Sequence, residues 1–273
     1  MTAVTITESA ERPARARAMT PARALGHAMT LAWRTLVRIR RNPEQLLDVT
    51  LQPIVFVTLF VFLFGGAIPG GRHEYLEFVL PGIMVMTVVF ASMGTGIGLN
   101  TDLTKGIFDR FRSLPISRSA PLTGTIMGDF VRYVVSIGMV FAYGSLLGFR
   151  IATNPVFVVG AVGLMFVFGF AVGWIWVLLG LYVKSPQSLQ GFGFIVMFPL
   201  TFGSNVFVKE GTLPGWLQAW VKVNPVTALT DASRGLINGG VAVATPTWHA
   251  VAWSIAITAV FAPLAVRRYR RVG

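Results

Sequence analysis

The stretch Pro155-Val-Phe-Val-Val-Gly-Ala-Val-Gly-Leu-Met-Phe-Val-Phe-Gly-Phe-Ala-Val-Gly-Trp-Ile-Trp-Val-Leu-Leu-Gly-Leu-Tyr-Val183 contains no charged side chain. It is longer than the roughly 20 apolar residues that a helix needs to cross a hydrocarbon core of about 30 Å. Because lipid offers no hydrogen-bond partner to backbone amides, a single spanning segment must be helical. The stretch therefore predicts a membrane-spanning helix, and the rest of the chain is interpreted around it.

Five further apolar stretches accompany this one. The chain is 54% hydrophobic and only 12% charged, whereas soluble domains carry roughly 25% charged residues. We therefore predict an all-α integral membrane protein with six transmembrane helices. The predicted spans are about 49–68, 78–99, 123–149, 155–183, 190–207 and 247–266.

The positive charges fall mainly on one side of these spans. If the N-terminus is cytoplasmic, 18 of the 23 Lys and Arg residues lie in cytoplasmic segments and five on the other side. Lys and Arg accumulate in cytoplasmic loops, so both termini are predicted to be cytoplasmic. The net charge of +12 thus reflects membrane topology, and no nucleic-acid partner is predicted.

Several chemistries are excluded by composition and motif. The chain has no cysteine and three widely separated histidines, which argues against a metal site or a thiol nucleophile. It contains no G-x-x-x-x-G-K-[ST] phosphate loop, so it cannot hydrolyse nucleotides alone. The run Gly94-Thr-Gly-Ile-Gly98 lies inside an apolar span and is interpreted as close helix packing. The sequence therefore predicts neither an enzyme nor a bound cofactor or metal.

Two regions precede the first span. Residues 1–21 are interpreted as a disordered cytoplasmic tail. In residues 22–41, apolar side chains recur at helical spacing opposite a basic face, which is typical of an interfacial helix with its cations towards anionic lipid headgroups. A soluble amphipathic helix packed on a partner is the alternative. Asn42-Pro43 ends this segment.

The segment 208–246, on the outer side by this topology, is too long for a simple connection. Trp216 and Trp220 are four residues apart, so a helix would place them on one face at interfacial depth. We predict two short helices broken at Asn224-Pro225 that re-enter the outer leaflet. These helices either gate a pathway or only anchor the protein through their aromatic rings.

One charged pair lies within a predicted span. Asp129 and Arg132 are three residues apart and therefore neighbours on one helical face. Intramembrane charges suggest function by default. The pair is interpreted as a compensated anchor at headgroup depth, with a proton relay as the alternative.

The basic loop after the second predicted span carries the most informative pattern. In Lys105-Gly-Ile-Phe-Asp-Arg-Phe-Arg-Ser-Leu-Pro115, the apolar residues Ile107, Phe108, Phe111 and Leu114 form a helical stripe. Pro115 closes the helix. Such a helix either docks into a groove on another protein or lies on the bilayer, and the residue pattern alone leaves both possibilities open.

The run Lys105-Gly-Ile-Phe-Asp-Arg-Phe-Arg-Ser-Leu-Pro-Ile-Ser-Arg118 resembles the signature loop of ABC type-2 exporter permeases, in particular the daunorubicin/doxorubicin-resistance permeases. The stretch Asn224-Pro-Val-Thr-Ala-Leu-Thr-Asp-Ala-Ser-Arg234 is similar to the outer segment of the same family. Together with the six predicted spans, the resemblance covers residues 22–270, the predicted transmembrane domain. Many relatives carry an acidic residue where this chain has Thr104.

The resemblance implies a permease in the bacterial cytoplasmic membrane that exports hydrophobic drugs or natural products such as anthracycline-like antibiotics. It implies a homodimer of permeases that binds two separate ATPase subunits, which hold ATP and Mg²⁺. The residues implied in ATPase coupling are Lys105, Gly106, Ile107, Phe108, Asp109, Arg110, Phe111, Arg112, Leu114 and Pro115.

The second and fifth spans of such permeases usually line the substrate path, and flexible Met and aromatic side chains suit flat, amphiphilic substrates. The residues implied in this path are Met84, Phe90, Met93, Phe194, Met197, Phe198, Thr201, Ser204 and Asn205. Two alternatives remain, a permease for lipid-linked polysaccharide and an ATP-independent transporter that would rely on Asp129.

Overall fold

A computed structural model describes residues 43–66, 70–106, 120–239 and 243–271. Within these ranges the chain forms nine α-helices and one short 3₁₀ helix, Glu210–Thr212, with no strand. The predicted tail 1–21 and interfacial helix 22–41 lie outside the described residues. The helices are α1 (Pro43–Phe64), α2 (Gly71–Thr104), α3 (Ala120–Gly128), α4 (Phe130–Leu146), α5 (Pro155–Gly180), α6 (Pro186–Phe202), α7 (Gly215–Val223), α8 (Pro225–Asn238) and α9 (Ala244–Arg271).

Helix α2 is the central element of the bundle. It packs against α1, α4, α5, α6 and α8, and most of its side chains are buried. Close packing against α5 depends on glycine: a Cβ at Gly96 would lie 2.6 Å from the carbonyl oxygen of Trp176, and one at Gly180 would lie 2.9 Å from the carbonyl oxygen of Gly96. The predicted packing role of the glycine run is therefore confirmed at Gly96.

Hydrogen bonds join α2 to α5 as well. Trp176 Nε1 donates to Ser92 Oγ at 3.1 Å. Asn100 Nδ2 donates to the carbonyl oxygens of Gly180 at 2.9 Å and of Val183 at 2.6 Å. These bonds satisfy carbonyls that the end of α5 leaves without a helical partner. The end of α5 is thereby fixed beside the last turns of α2.

Four helical segments in the described ranges are long and apolar enough to cross a membrane: Gly71–Thr104, Leu122–Leu146, Pro155–Gly180 and Ala244–Tyr269. The other two predicted spans correspond to shorter helices. In α1 the apolar helical stretch is Thr50–Phe64, and α6 has 17 residues. In the part of the chain that the structure describes, a helical protein with four candidate membrane spans is shown, and the count of six spans stays a prediction.

The helix bounds also differ from the predicted spans. The second helix begins seven residues earlier than predicted and ends five later, at Thr104. The predicted span 123–149 corresponds to the helical segment Leu122–Leu146, in which a one-residue turn at Asp129 separates α3 from α4 although the Asp129 backbone stays right-handed helical. Hydropathy shows neither the longer ends of α2 nor the turn at Asp129. Polar residues can continue a helix, and one turn residue leaves the average hydropathy of a span unchanged.

The segment after α6 is divided into two helices, α7 and α8, at the predicted position. Asn224 caps α8 by accepting a hydrogen bond from the Val226 amide at 2.9 Å, and Pro225 takes the first helical position. The side-chain Nδ2 of Asn224 also donates to the carbonyls of Leu200 and Gly203. The break is thus tied to the end of α6, while re-entry into the outer leaflet stays a prediction.

Large apolar side chains are exposed along α1, α6 and α9, in contrast to α2. Helices that face lipid carry such surfaces, because lipid tails do not penalise them. Examples are Leu51, Leu63, Phe192, Ile195, Trp248, Ile255 and Val260.

Candidate functional site

One end of the bundle brings together the ends of several helices. Helices α1 and α2 are joined by a short connection and pack as antiparallel neighbours. Helix α1 therefore begins where α2 ends, and α5 ends there too, beside Gly96. Helix α6 begins a few residues after α5. We call this the loop end, because α2 leads there into the basic loop 105–115.

A cavity of about 510 Å³ lies near the loop end. Helices α1 and α6 form its sides, α2 forms its floor, and Arg132 of α4 reaches its wall. We call it the loop-end cavity. Its lining residues are Leu51, Gln52, Pro53, Val55, Phe56, Met86, Thr87, Phe90, Ala91, Met93, Gly94, Ile97, Arg132, Gln190 and Phe194.

The Asp129–Arg132 pair forms part of this region. Arg132 Nη1 lies 3.4 Å from Asp129 Oδ1, and the Thr95 hydroxyl of α2 donates to Asp129 Oδ2. The Asp129 side chain is buried, and Arg132 is 15% exposed. The expected compensation between the two charges is confirmed. The pair lies inside the bundle against α2, and its position at headgroup depth stays a prediction.

Three of the predicted substrate-path residues line the loop-end cavity: Phe90, Met93 and Phe194. The rings of Phe90 and Phe194 lie 6.1 Å apart between centroids. Met84 and Met197 are instead buried in the core. Phe198 is half-exposed and stacks on Phe202 at 4.2 Å.

The three predicted polar contacts lie elsewhere and donate to groups within the protein. The Thr201 hydroxyl donates to the carbonyl of Met197 at 2.7 Å, and the Ser204 hydroxyl donates to the carbonyl of Thr201. Asn205 Nδ2 donates to Asp231 Oδ1 at 2.6 Å. The structure does not place these groups in the loop-end cavity, and their role in a substrate path stays a prediction.

Arg234 of α8 is buried, although the sequence places it among the five Lys and Arg residues outside the predicted cytoplasmic segments. Its Nε donates to the carbonyl of Phe78 at 2.8 Å, and its Nη2 donates to those of Asn205 at 2.7 Å and Val206 at 2.9 Å. The guanidinium also lies 3.8 Å from the centroid of the Phe78 ring. Arg234 therefore joins α8 to α2 and to the segment after α6.

Burial changes the acid–base properties of this site. It lowers the pKa of Arg234 to about 10, against the opposing effect of Asp231. Burial also raises the pKa of Asp231 above its usual value, although its hydrogen bond from Asn205 and the charge of Arg234 act in the opposite direction. The only signal for this site in the sequence was its position at the end of the Asn224–Arg234 stretch.

A second cavity, of about 480 Å³, lies at the opposite end of the bundle. Aromatic rings form much of its wall, and the ion pair between Lys209 Nζ and Glu74 Oε1, at 3.4 Å, lies beside it. We call it the far-end cavity. Its aromatic lining residues are Phe60, Phe64, Tyr75, Phe78 and Phe207.

Comparison with known proteins identifies the family. Residues 27–238 match the model of the ABC-2 type transporter family. The chain belongs to the ABC-2 type transporter family. The match includes α1 to α8, the basic loop, both cavities and Arg234, and it ends at the last residue of α8. The resemblance inferred from the sequence is confirmed.

Several curated relatives are transport permeases. The chain is 42% identical over 269 residues to the daunorubicin resistance ABC transporter permease protein DrrB1 of Streptomyces coeruleorubidus, covering 97% of this chain and 92% of the relative. It is 28% identical to the putative transport permease ycf38 of Cyanophora paradoxa, covering 76% and 72%. It is 26% identical to the probable doxorubicin resistance ABC transporter permease protein DrrC of Mycobacterium tuberculosis, covering 88% and 87%.

The residues implied in ATPase coupling begin where α2 of this ABC-2 permease ends. The Lys105 amide donates to the carbonyl of Thr101 at 3.1 Å, and the Gly106 amide donates to that of Leu103 at 3.0 Å. Gly106 has a φ of +68°, a left-handed conformation that ends helices and favours glycine. The remaining coupling residues lie outside the described residues: Ile107, Phe108, Asp109, Arg110, Phe111, Arg112, Leu114 and Pro115.

Proposed function

We propose that this chain is the permease subunit of an ATP-driven exporter that moves hydrophobic drugs or natural products, of the anthracycline type, out of a bacterial cell. The observation that carries the proposal is 42% identity over nearly the whole chain to a permease named for daunorubicin resistance. The family match supports the transporter class.

The loop-end cavity supports a drug-sized substrate. Its volume of about 510 Å³ falls within the roughly 300–1,000 Å³ of small-molecule sites, which are lined mainly by apolar and aromatic groups with a few polar ones. Phe, Met and aliphatic side chains dominate its wall, and Met adapts to irregular ligands. These dimensions favour a compact aromatic compound over a lipid-linked polysaccharide.

The energy for transport comes from other subunits in this proposal. The chain carries no phosphate loop, so ATP and Mg²⁺ bind to two ABC ATPase subunits. Two copies of this chain form the permease, with both termini and the loop 105–115 in the cytoplasm. Docking of the ATPases on the stripe of Ile107, Phe108, Phe111 and Leu114 transmits their closure to the membrane helices.

The position of α2 supports this mechanism. The coupling segment follows directly from the last turn of α2, and α2 packs against α1, α4, α5, α6 and α8. Since packed helices move as units and not by continuous deformation, a displacement of the loop would move the floor of the loop-end cavity. A rigid central helix is therefore a direct link between the ATPase and the cavity.

The proposal is tested by drug accumulation in cells that express this chain with its cognate ATPase. Intracellular daunorubicin fluorescence should fall relative to cells that express the ATPase alone. The decrease should disappear when the phosphate-binding lysine of the ATPase is replaced. Equal accumulation with and without the permease would contradict the proposed function.

The coupling assignment is tested separately by Phe108→Ala combined with Phe111→Ala. We expect loss of export and of permease-stimulated ATP hydrolysis, because the apolar docking face is removed, while the variant still reaches the membrane. Phe157→Ala is the matched control, since Phe157 is an exposed phenylalanine at the opposite end of the bundle. Wild-type export by the double variant would overturn the coupling role.

A further inference from the structure

We propose that Arg132 determines the specificity of the loop-end cavity by donating hydrogen bonds to a carbonyl-type oxygen on a planar aromatic ligand. The rings of that ligand lie between Phe56, Phe90 and Phe194. The inference deepens the proposed function. It rests on that function in one respect only, because it takes the bound ligand to be the exported compound. Binding to the cavity requires no ATP.

The cavity wall is arranged in two tiers. Gln52 and Phe56 are four residues apart on α1, and Gln190 and Phe194 are four apart on α6. On α2, which runs in the opposite direction, Phe90 precedes Gly94 by four residues, and Arg132 lies against Gly94.

Residues four apart on a helix lie above one another on the same face, separated by about 6 Å along the axis. The polar tier, Gln52, Arg132 and Gln190, therefore lies nearest the loop end. The aromatic tier, Phe56, Phe90 and Phe194, lies one helical turn deeper.

The guanidinium of Arg132 is held in a defined position. Asp129 pairs with it at 3.4 Å, and Thr95 of α2 fixes the same carboxylate from the other side. Gly94 makes room for it, because a methyl group at that position would overlap Arg132 Nη1. A glycine on the cavity floor thus admits a cation that would otherwise be displaced.

The chemistry of the two tiers selects the ligand. A guanidinium presents a planar fork of N–H donors and no acceptor, so the group that binds it must carry acceptor oxygens. Gln52 and Gln190 add carboxamides at the same level. Three phenyl rings beneath them suit a flat aromatic body, for which offset stacked and edge-to-face contacts are favourable. The matching ligand is a fused aromatic ring system with a carbonyl oxygen at one end.

The cavity opens laterally between α1 and α6. Leu51 and Val55 line it and are 59% and 49% exposed, and Phe194 is also exposed. These apolar side chains lie at the edge of the cavity, on helices that face lipid. An aromatic compound dissolved in the bilayer can therefore reach the aromatic tier without crossing the polar one.

The experiment measures binding of two matched probes to the purified full-length chain in lipid nanodiscs, with empty nanodiscs as the partition background. The probes are 2-acetylanthracene and 2-ethylanthracene, which differ by one carbonyl oxygen, and binding is followed by quenching of tryptophan fluorescence. A hydrogen bond from a charged donor corresponds to a factor of about ten or more in affinity. We expect the acetyl probe to bind at least about tenfold more tightly.

Three variants assign that preference to Arg132. Asp129→Asn combined with Arg132→Met removes the cation and neutralises the carboxylate beside it, and the affinity ratio should fall to about one because 2-acetylanthracene loses its preferential binding. Gly94→Ala should lower the ratio by displacing the guanidinium. Gly98→Ala, one turn along α2 with open space around it, should leave the ratio unchanged.

Equal affinity of the two probes for the wild-type chain, or no binding of either probe, would overturn the proposal. An unchanged ratio in the double variant would overturn it as well. Failure of drug export with a normal probe ratio would instead contradict the proposed function alone. The two proposals can therefore fail separately.

Discussion

Arg132 and Arg234 lie in the same Asp-x-x-Arg sequence pattern but contact different parts of the molecule. Each follows an aspartate by three residues on or beside a helix, and each guanidinium lies 3.4 Å from that carboxylate. Arg234 is 10% exposed and donates to three backbone carbonyls from two other segments. Arg132 reaches the wall of a cavity. An Asp-x-x-Arg pair thus fixes neighbouring segments in one region and places a cation at a cavity wall in the other.

The difference comes from what each arginine meets across the bundle. Arg234 covers the Phe78 ring and fills the space between α8 and α2. Arg132 faces Gly94, where α2 has no side chain, and the space beside it remains open as the loop-end cavity. Substitutions should therefore affect stability at Arg234 and ligand preference at Arg132.

The largest expected effect is the loss of Arg234. Arg234→Met removes the donors to Phe78, Asn205 and Val206 and leaves Asp231 without its counterion. Hydrogen bonds to a charged group contribute about 1.5–3 kcal/mol each, and three of them are lost. We expect a much lower melting temperature in detergent and poor recovery of monodisperse protein in size-exclusion chromatography.

Lys222→Met is the control for Arg234→Met, because Lys222 is an exposed cation whose distance to Glu210 is 3.7 Å. Exposed pairs contribute about 0–1 kcal/mol, so this variant should melt close to the wild type. Similar melting temperatures for Arg234→Met and Lys222→Met would mean that Arg234 does not stabilise the fold, and the contrast with Arg132 would no longer hold.

These two roles also mark the limit of prediction from sequence. Apolar runs predicted a membrane protein, and Asn224-Pro225 predicted the break between α7 and α8, because both depend on local chain properties. Spacing also predicted that Asp129 and Arg132 would pair. It could not predict that Arg234 meets Phe78, which lies 156 residues away, or that Gly94 admits Arg132. Those facts depend on how separate helices pack.

A second prediction concerns the close packing of α2 against α5. Gly96→Ala would place a Cβ 2.6 Å from the backbone carbonyl of Trp176, and α2 and α5 would have to separate. Overpacking of this kind typically destabilises by about 1–3 kcal/mol. The melting temperature should fall, by less than in Arg234→Met.

Gly98→Ala provides the matched control for Gly96→Ala. Nothing lies within 4 Å of a Cβ at Gly98, and alanine favours a helix over glycine by about 0.5–1 kcal/mol. This variant should therefore melt at the wild-type temperature or slightly above it. If the two alanine variants melted alike, the close approach of α2 and α5 would not limit stability.

The smallest expected effect concerns the carboxylate of the Arg234 pair and its dependence on pH. Burial raises the pKa of Asp231 above its usual value of 3.8, so the folded chain binds this proton more tightly than the unfolded chain does. The contribution of the protonated form to stability is complete below pH 3.8 and is lost as pH rises through the folded pKa. Asp231→Asn imitates the protonated acid and does not titrate.

The stability of Asp231→Asn relative to the wild type should therefore increase with pH from about 4 and level off above the folded pKa. Because the Asp231 side chain is 39% exposed, solvent screening limits the gain to about 0.5 kcal/mol. Chemical denaturation of both proteins at matched pH values measures the difference. A relative stability that decreases with pH would mean that Arg234 stabilises the carboxylate more than burial destabilises it, and the pair would then act as a stabilising ion pair in addition to positioning Arg234.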